Sequence, residues 1–286
     1  MNAVGNKVIA CIDTSTYGAS VCDHAAWVAA LLGLEVELLH VLDRTPDAVR
    51  TDMSGSIGLG AQDHLMERLV RLDEERGRLR MERGRALLGA ASETLSARGL
   101  SVSTRLRHGG LVDNVTELEG EARLVVLGKR GENADFARLH LGGSVEQVVR
   151  ASTRPVLVAS RAFCPIARVA LAYDGGASAR KAITFLLGEP ALKGLEVHVV
   201  MAGGTRPETE AHIGWAREQL EAWGGTFHVA LTPGEPEAVI TDYIRERDID
   251  LLAMGAYGHS PIRRFIVGST TTAMIRGCLV PVLLFR

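Results

Sequence analysis

The stretch Gly255-Ala-Tyr-Gly258-His259-Ser-Pro-Ile-Arg-Arg-Phe-Ile-Val-Gly268-Ser269-Thr270 carries the residue types and spacing best suited to chemistry in this chain. Its pattern is G-x2-G-x9-G-[ST]. Glycines lack Cβ atoms, so their backbone N–H groups can approach an anion closely. A helix that starts at the last glycine adds partial positive charge, and the hydroxyls of Ser269 and Thr270 add donors. The apolar run 250–254 before the loop reads as a buried strand, residues 271–276 after it as a helix, and 281–286 as another strand. Strand, glycine loop and helix start together describe a phosphate cradle. His259 suits a phosphate contact or a plain surface position, and Arg263 and Arg264 suit either charge neutralisation or solvent. The run Thr270-Thr-Thr272 also suits a helix cap with no ligand at all.

A weaker copy of the same grammar lies earlier. Residues 123–127 lead into Gly128-Lys129-Arg130-Gly131, and Gly142-Gly143-Ser144 opens a helix through Arg150. Gly142 against Gly268 and Arg150 against Arg276 give one offset (268 − 142 = 126; 276 − 150 = 126). The openings repeat too: residues 8–13 match 169–174, and 34–36 match 195–197, both offset by 161 (169 − 8; 195 − 34). The chain therefore reads as a tandem duplication with domains 1–161 and 162–286. The two offsets differ by 35 (161 − 126), so the first half carries about that many extra residues, within 44–99.

These motifs need a scaffold, and the pattern supplies one. Short apolar β-branched runs alternate with helical ones, which predicts a doubly wound parallel sheet in each half. The predicted strands are 7–12, 35–41, 102–106, 124–127 and 155–159, then 168–173, 196–201, 226–231, 251–254 and 281–285. Helices are expected after each first strand (20–32 and 177–187), before each third strand and on both sides of each fourth. Such sheets bind ligands beyond the carboxyl ends of their strands, where the strand order reverses. Asp13 and Asp174 end the two first strands. If strands one and four are neighbours, each aspartate stands beside a glycine loop, where it can accept ribose hydroxyls or help hold a metal. That is the composition of a nucleotide site. Asp174-Gly175-Gly176 reads equally as a turn and helix cap. In the extra segment, the Gly/Ser-rich run 51–60 is expected to be mobile. Residues 62–98 read as a long, largely solvent-facing helix packed along Leu65, Leu69, Leu72 and Leu79, bent or broken near Gly77 or Gly84, with a lid or a partner-binding helix as other readings.

Composition narrows the function. A net charge of −2 gives no electrostatic case for nucleic acid or an anionic membrane. The 4 cysteines show no C-x-x-C spacing and read as reduced, buried thiols. No signal peptide or membrane-length apolar run is seen, so a soluble, cytoplasmic protein is expected. No His/Cys/Asp spacing suits zinc, so no protein metal site is expected, and His40 and His198 read as packing residues. Lys129 and Arg130 read as a solvated basic pair or as partners of some other anion.

Taken together, Asp174, Gly255, Gly258, Gly268 and Ser269, with Gly234-Glu-Pro236 after the third strand, resemble the universal stress protein family in its tandem form. The resemblance covers both halves nearly end to end. It implies a Rossmann-like, adenine nucleotide alpha hydrolase-like fold and an adenine nucleotide ligand, ATP among them, with or without Mg²⁺. It implies a site of Asp174 and Gly175, the backbone near Val200 and Met201 facing the base, Gly255, and Gly258, His259, Gly268, Ser269 and Thr270 near phosphates. In the first half the equivalents are Asp13, Gly128, Gly131, Gly142, Gly143 and Ser144. There ten residues separate Gly131 from Gly142, and Gly143 stands where a hydroxyl belongs, so the ligand is expected mainly in the second half. Ser144 replaces that hydroxyl only if the loop shifts by one residue. The resemblance further implies halves packed as a pseudo-dimer, a homodimer, and a stress-response regulatory role. The sequence offers no Walker A lysine and no paired carboxylates around a nucleophile, so at most slow ATP hydrolysis is expected. A scaffold or dimerisation protein that binds no nucleotide is the alternative.

Overall fold

The computed structural model describes residues 5–42, 59–131, 143–256 and 269–286, with side chains undescribed at 59–66, 143 and 269. In chain order the first half contains β1 (Lys7–Cys11), α1 (Gly18–Leu32), β2 (Glu35–Leu42), α2 (Leu59–Ser96), β3 (Val102–His108), α3 (Leu111–Leu118), β4 (Ala122–Gly128), α4 (Gly143–Ala151) and β5 (Val156–Ala159). The second half follows with β6 (Arg168–Ala172), α5 (Ala177–Gly188), a 3-10 turn, β7 (Glu196–Ala202), α6 (Pro207–Trp223), β8 (Phe227–Thr232), α7 (Pro236–Glu246), β9 (Leu251–Gly255), α8 (Ser269–Gly277) and β10 (Val282–Phe285). Each predicted strand coincides with an observed one to within two residues at either end. Local signals explain the helix ends. Gly33 and Gly224 adopt φ of 65° and 71° and close α1 and α6 by N–H donation to Ala29 and Leu220. Pro207 and Pro236 open α6 and α7.

The strands form one sheet of order β3-β2-β1-β4-β5-β10-β9-β6-β7-β8. Each half is a parallel five-stranded unit, and the order reverses between β1 and β4 and between β6 and β9. The halves meet through β5 and β10, which pair antiparallel with Val282 opposite Val158 and Leu284 opposite Val156. An edge strand of buried apolar residues invites pairing, and here each half covers the other's edge. Side-chain alternation then divides the core into two layers. Val8, Ala10, Leu95, Leu171 and Leu220 lie on the face covered by α1, α2, α5 and α6. Ile9, Val125, Val148, Leu252 and Ile275 lie on the face covered by α3, α4, α7 and α8.

Cations crossing the seam reinforce it. Arg123 on β4 pairs with Glu189 and lies over the Phe185 ring at 4.9 Å. Arg286 donates to the Arg150 and Ala151 carbonyls at the end of α4. Lys129 donates to the Cys278 carbonyl at the end of α8. Both cations sit where a helix dipole is negative and its last carbonyls lack partners. Lys129 is thus no solvated lysine. It is 8% exposed, and burial lowers its pKa from the ordinary value. Its side chain joins the two halves.

The extra residues of the first half extend α2 at its amino end. Setting Ala91 and Leu95 against Ala216 and Leu220 makes the last turns of α2 the counterpart of α6 (216 − 91 = 125; 220 − 95 = 125). The packed side chains are Leu87, Leu88, Ala91 and Leu95, whereas Leu69, Leu72 and Leu79 are exposed, Leu79 at 57%. The expected leucine stripe therefore fails at Leu69, Leu72 and Leu79, because α2 reaches the sheet only after about residue 83 and its earlier turns have no partner layer among the described residues; the Leu65 side chain lies outside them. The helix is also continuous through Gly77 and Gly84. At Gly84 a Cβ would lie 2.8 Å from His40 Cδ2 and 2.9 Å from Leu106 Cδ1, so this glycine permits close approach to β2 and β3. Of the run 51–60, expected to be mobile, residues 51–58 lie outside the described residues and 59–60 open α2.

Candidate functional site

Both order reversals place an aspartate at the carboxyl edge of the sheet. In the second half Tyr173 leaves β6 with its N–H donated to the Val200 carbonyl at 2.9 Å. Asp174 is exposed, and its Oδ1 accepts the Gly176 N–H at 2.8 Å. This is an Asx turn, so the plain structural reading of Asp174 is realised; its second carboxylate oxygen makes no hydrogen bond among the described residues. The turn needs Gly175, whose φ is 77°. His212 of α6 packs directly on it: a Cβ at Gly175 would fall 2.0 Å from His212 Nδ1. Beneath the turn, Tyr173 stacks on Trp215 at 6.1 Å. Arg180 lies over Trp215 at 4.8 Å and donates to the Gly175 carbonyl at 3.1 Å. Burial raises the Tyr173 hydroxyl pKa, and Arg180 partly offsets this.

Gly255 ends β9 beside this turn. A Cβ there would meet Ala179 N at 3.0 Å and Ser178 Cβ at 3.1 Å, so the missing side chain lets the first turn of α5 close on the strand. Val200 and Met201 are buried in β7, opposite Ala230 and Leu231 of β8. Thr270 is half-buried in the first turn of α8, which begins at Ser269. Gly258, His259 and Gly268 lie outside the described residues, as do Arg263 and Arg264.

The first half repeats the arrangement with different neighbours. Asp13 Oδ1 accepts the Ser15 N–H at 3.0 Å, the same Asx turn. A Cβ at Gly131 would lie 3.1 Å from Asp13 Oδ2, so aspartate and glycine loop do face each other across the reversal. Gly128 admits Tyr17 as Gly255 admits Ser178. Arg83 of α2 donates to Thr14 Oγ1 at 2.8 Å, and His40 Nδ1 lies 2.8 Å from the Ile12 carbonyl. The long helix therefore holds the Asp13 turn. α4 starts at Gly143, and 143 + 126 = 269, the start of α8. No register shift occurs between the helices: Ser144 matches Thr270, and Gly143 stands at the Ser269 position. Gly142 lies outside the described residues.

Sequence reasoning missed Arg180 on α5, His212 and Trp215 on α6, and Arg83 on α2, because these helices carry no motif that reveals which of their side chains reach the aspartate turns. It read His198 as a packing residue, and the side chain is indeed buried, but it missed that His198 meets Glu196 and His228 at the opposite end of β7 and β8. The only available signal was Glu-x-His on a strand, which puts two side chains on one face. The expectation of buried thiols fails at Cys164, which is exposed, although all 4 cysteines are free. No helix among the described residues is long and apolar enough to cross a membrane.

Comparison with known proteins gives one family. The model of the universal stress protein family matches residues 6–160 and 201–286. A universal stress protein of Synechocystis is 39% identical over 285 residues, covering 98% of this chain and 99% of the relative. A universal stress protein of Mycobacterium tuberculosis is 28% identical over 222 residues, covering 68% and 73%. Among solved structures, a universal stress protein from Archaeoglobus fulgidus superposes with a TM-score of 0.70 at 22% identity, covering 98% of this chain and 95% of the other. A functionally unknown protein from Pseudomonas aeruginosa gives 0.60 at 17% identity, covering 99% and 92%.

Proposed function

The chain belongs to the universal stress protein family in tandem form, and from that premise we propose that it is a stress-response regulatory module that binds an adenine nucleotide, mainly in its second half. The domains in this reading are 1–161 and 162–286. The observation that carries it is the facing of aspartate and glycine loop where the strand order reverses, seen between Asp13 and Gly131. In the second half Asp174, Gly175 and Gly255 stand at the equivalent edge, next to the loop with the complete G-x2-G-x9-G-[ST] spacing. Asp174 would accept ribose hydroxyls with the oxygen not used in its turn. The backbone at Val200 and Met201 would face the base. Gly258, His259, Gly268, Ser269 and Thr270 would surround the phosphates at the start of α8, where the helix dipole favours anions. Any Mg²⁺ would arrive with the nucleotide.

The first half is the poorer site in this reading. Gly143 brings no hydroxyl to the position of Ser269, which removes about 1 kcal/mol of hydrogen bonding. Lys129 is committed to Cys278. Asp13, Gly128, Gly131, Gly142 and Ser144 would at most complete a weak second site. A pseudo-dimer of the two halves accords with the β5–β10 pairing, and a homodimer of chains would add a second such contact.

Native mass spectrometry and calorimetric titration of the full chain with ATP and AMP test the reading. One nucleotide per chain is expected, lost in Gly268→Val and weakened in Asp174→Ala, with Gly131→Val nearly unaffected. Absence of binding at millimolar nucleotide would refute the reading and favour a scaffold role. Equal losses in the Gly131→Val and Gly268→Val variants would overturn the asymmetry.

A further inference from the structure

β7 and β8 lie at the outer edge of the second half, and their amino ends bring together three side chains with no part in the nucleotide reading. Glu196 and His198 are two residues apart on β7 and share the face covered by α7; His228 is the pairing partner of His198 on β8. Their ligand atoms all lie within 4.8 Å of one another. His228 Nε2 is 2.8 Å and His198 Nε2 is 3.2 Å from the same Glu196 oxygen. Two ligands bound tetrahedrally at about 2.0–2.1 Å stand about 3.3 Å apart, close to this spacing.

The two ring nitrogens of His198 are used differently. Nδ1 lies 3.0 Å from the Tyr243 hydroxyl of α7, which orients the ring. Nε2 is buried and makes no well-formed hydrogen bond, with the Glu196 oxygen 3.2 Å away. His198 is 3% exposed, so water does not readily satisfy that nitrogen. An imidazole oriented through one nitrogen with the other left bare is the arrangement of a metal ligand held by an outer partner.

The first half shows what this position becomes when the chain neutralises it by itself. The counterpart of His198 is Glu37 (198 − 161 = 37), and it is paired with Lys7 at 3.2 Å and with Arg105. In the second half histidines stand at the Glu37 and Ser103 positions, while Glu196 keeps the carboxylate of its counterpart Glu35 (196 − 161 = 35). We propose that Glu196, His198 and His228 form a site for one divalent transition-metal ion of the zinc type, independent of the nucleotide site and at the opposite end of the sheet. Two imidazole nitrogens and one carboxylate oxygen suit a borderline ion such as Zn²⁺ and leave a fourth position for water. His228 is half exposed and provides the way in. Arg247, over the Tyr243 ring at 5.9 Å, adds positive charge beside the cluster, so the Glu196 carboxylate is needed for charge as well as ligation.

The test uses untagged full-length protein, stripped with chelator, titrated with Zn²⁺ against a chromogenic chelator and with Co²⁺ by visible absorption. One Zn²⁺ per chain and a tetrahedral Co²⁺ spectrum are expected. Loss of an outer-shell partner costs about 10–100-fold in metal affinity, so His228→Ala and Glu196→Gln, which remove ligands, should each weaken binding by at least about 100-fold. His228 lies on an edge strand, so the metal-free thermal midpoint of its variant should match that of the parent chain. Failure to bind Zn²⁺ would overturn the proposal. So would binding retained in both variants, which would place the ion elsewhere in the chain.

Discussion

Replacing Gly175 with alanine puts a methyl group where the His212 imidazole already lies. The added Cβ would stand 2.0 Å from Nδ1, 2.3 Å from Cε1 and 2.5 Å from Cγ, so the ring must leave its place. The backbone adds a second cost, since φ at this position is 77° and an L residue there loses about 1–2 kcal/mol. Displacing a packed ring costs about 1–3 kcal/mol more, the range for overfilling a packed site. Gly175→Ala should therefore destabilise the chain by about 2–5 kcal/mol. Removing the ring first separates the two costs. In a His212→Ala background the same substitution should cost only the backbone share, about 1–2 kcal/mol, leaving a coupling of about 1–3 kcal/mol. Urea unfolding of the four proteins in the cycle measures this. Additivity within about 0.5 kcal/mol would show that the methyl group and ring do not compete and would refute the packing of α6 on the Asp174 turn.

Further outcomes follow from individual contacts. Gly84→Leu should destabilise by about 1–3 kcal/mol, because α2 meets His40 and Leu106 there. Gly77→Ala, in open space on the same helix, should raise helicity by circular dichroism without lowering the unfolding midpoint. His24 is buried, and burial holds its pKa below 6.5, so its charged form is penalised in the fold. The unfolded chain then binds the extra proton, so stability is full above pH 6.5 and falls as pH drops from 6.5 toward the depressed folded value. His24→Phe should flatten that decline in unfolding measured from pH 7 to pH 5, and an unchanged slope would refute it. With an aromatic disulfide reagent at pH 8, one thiol, the exposed Cys164, should react at once, and all 4 in denaturant. Burial pushes Cys22 up to about 11, so only about one part in a thousand is thiolate at that pH. Rapid native labelling of more than one thiol would contradict the packing.

Strand periodicity made the parallel sheet legible, because runs such as Leu124–Val125–Val126–Leu127 are apolar on both faces and suit only covered strands. The repeat offsets confined the extra residues to 44–99, and the structure puts them ahead of the turns of α2 that reach the sheet. Candidate site residues were legible only where they carried a motif: Asp13 and Asp174 end strands, and Gly128 and Gly255 follow them. Spacing along one helix could not reveal which turns of α2 pack, since packing depends on where the helix crosses β2 and β3. Leu79 and Leu88 look alike in sequence, and only the second meets a partner layer.

By itself the sequence determined the two-fold repeat and the order of elements, and its motif residues gave the resemblance to the family, because these rest on residue types and spacings along the chain. The tertiary structure decided what depends on segments far apart. It joined the halves through β5 and β10, turned Lys129 inward to the end of α8, set His212 on Gly175, and gathered Glu196, His198 and His228. The physical reason is that such contacts follow from pairing register and helix placement over long separations, which no local pattern encodes.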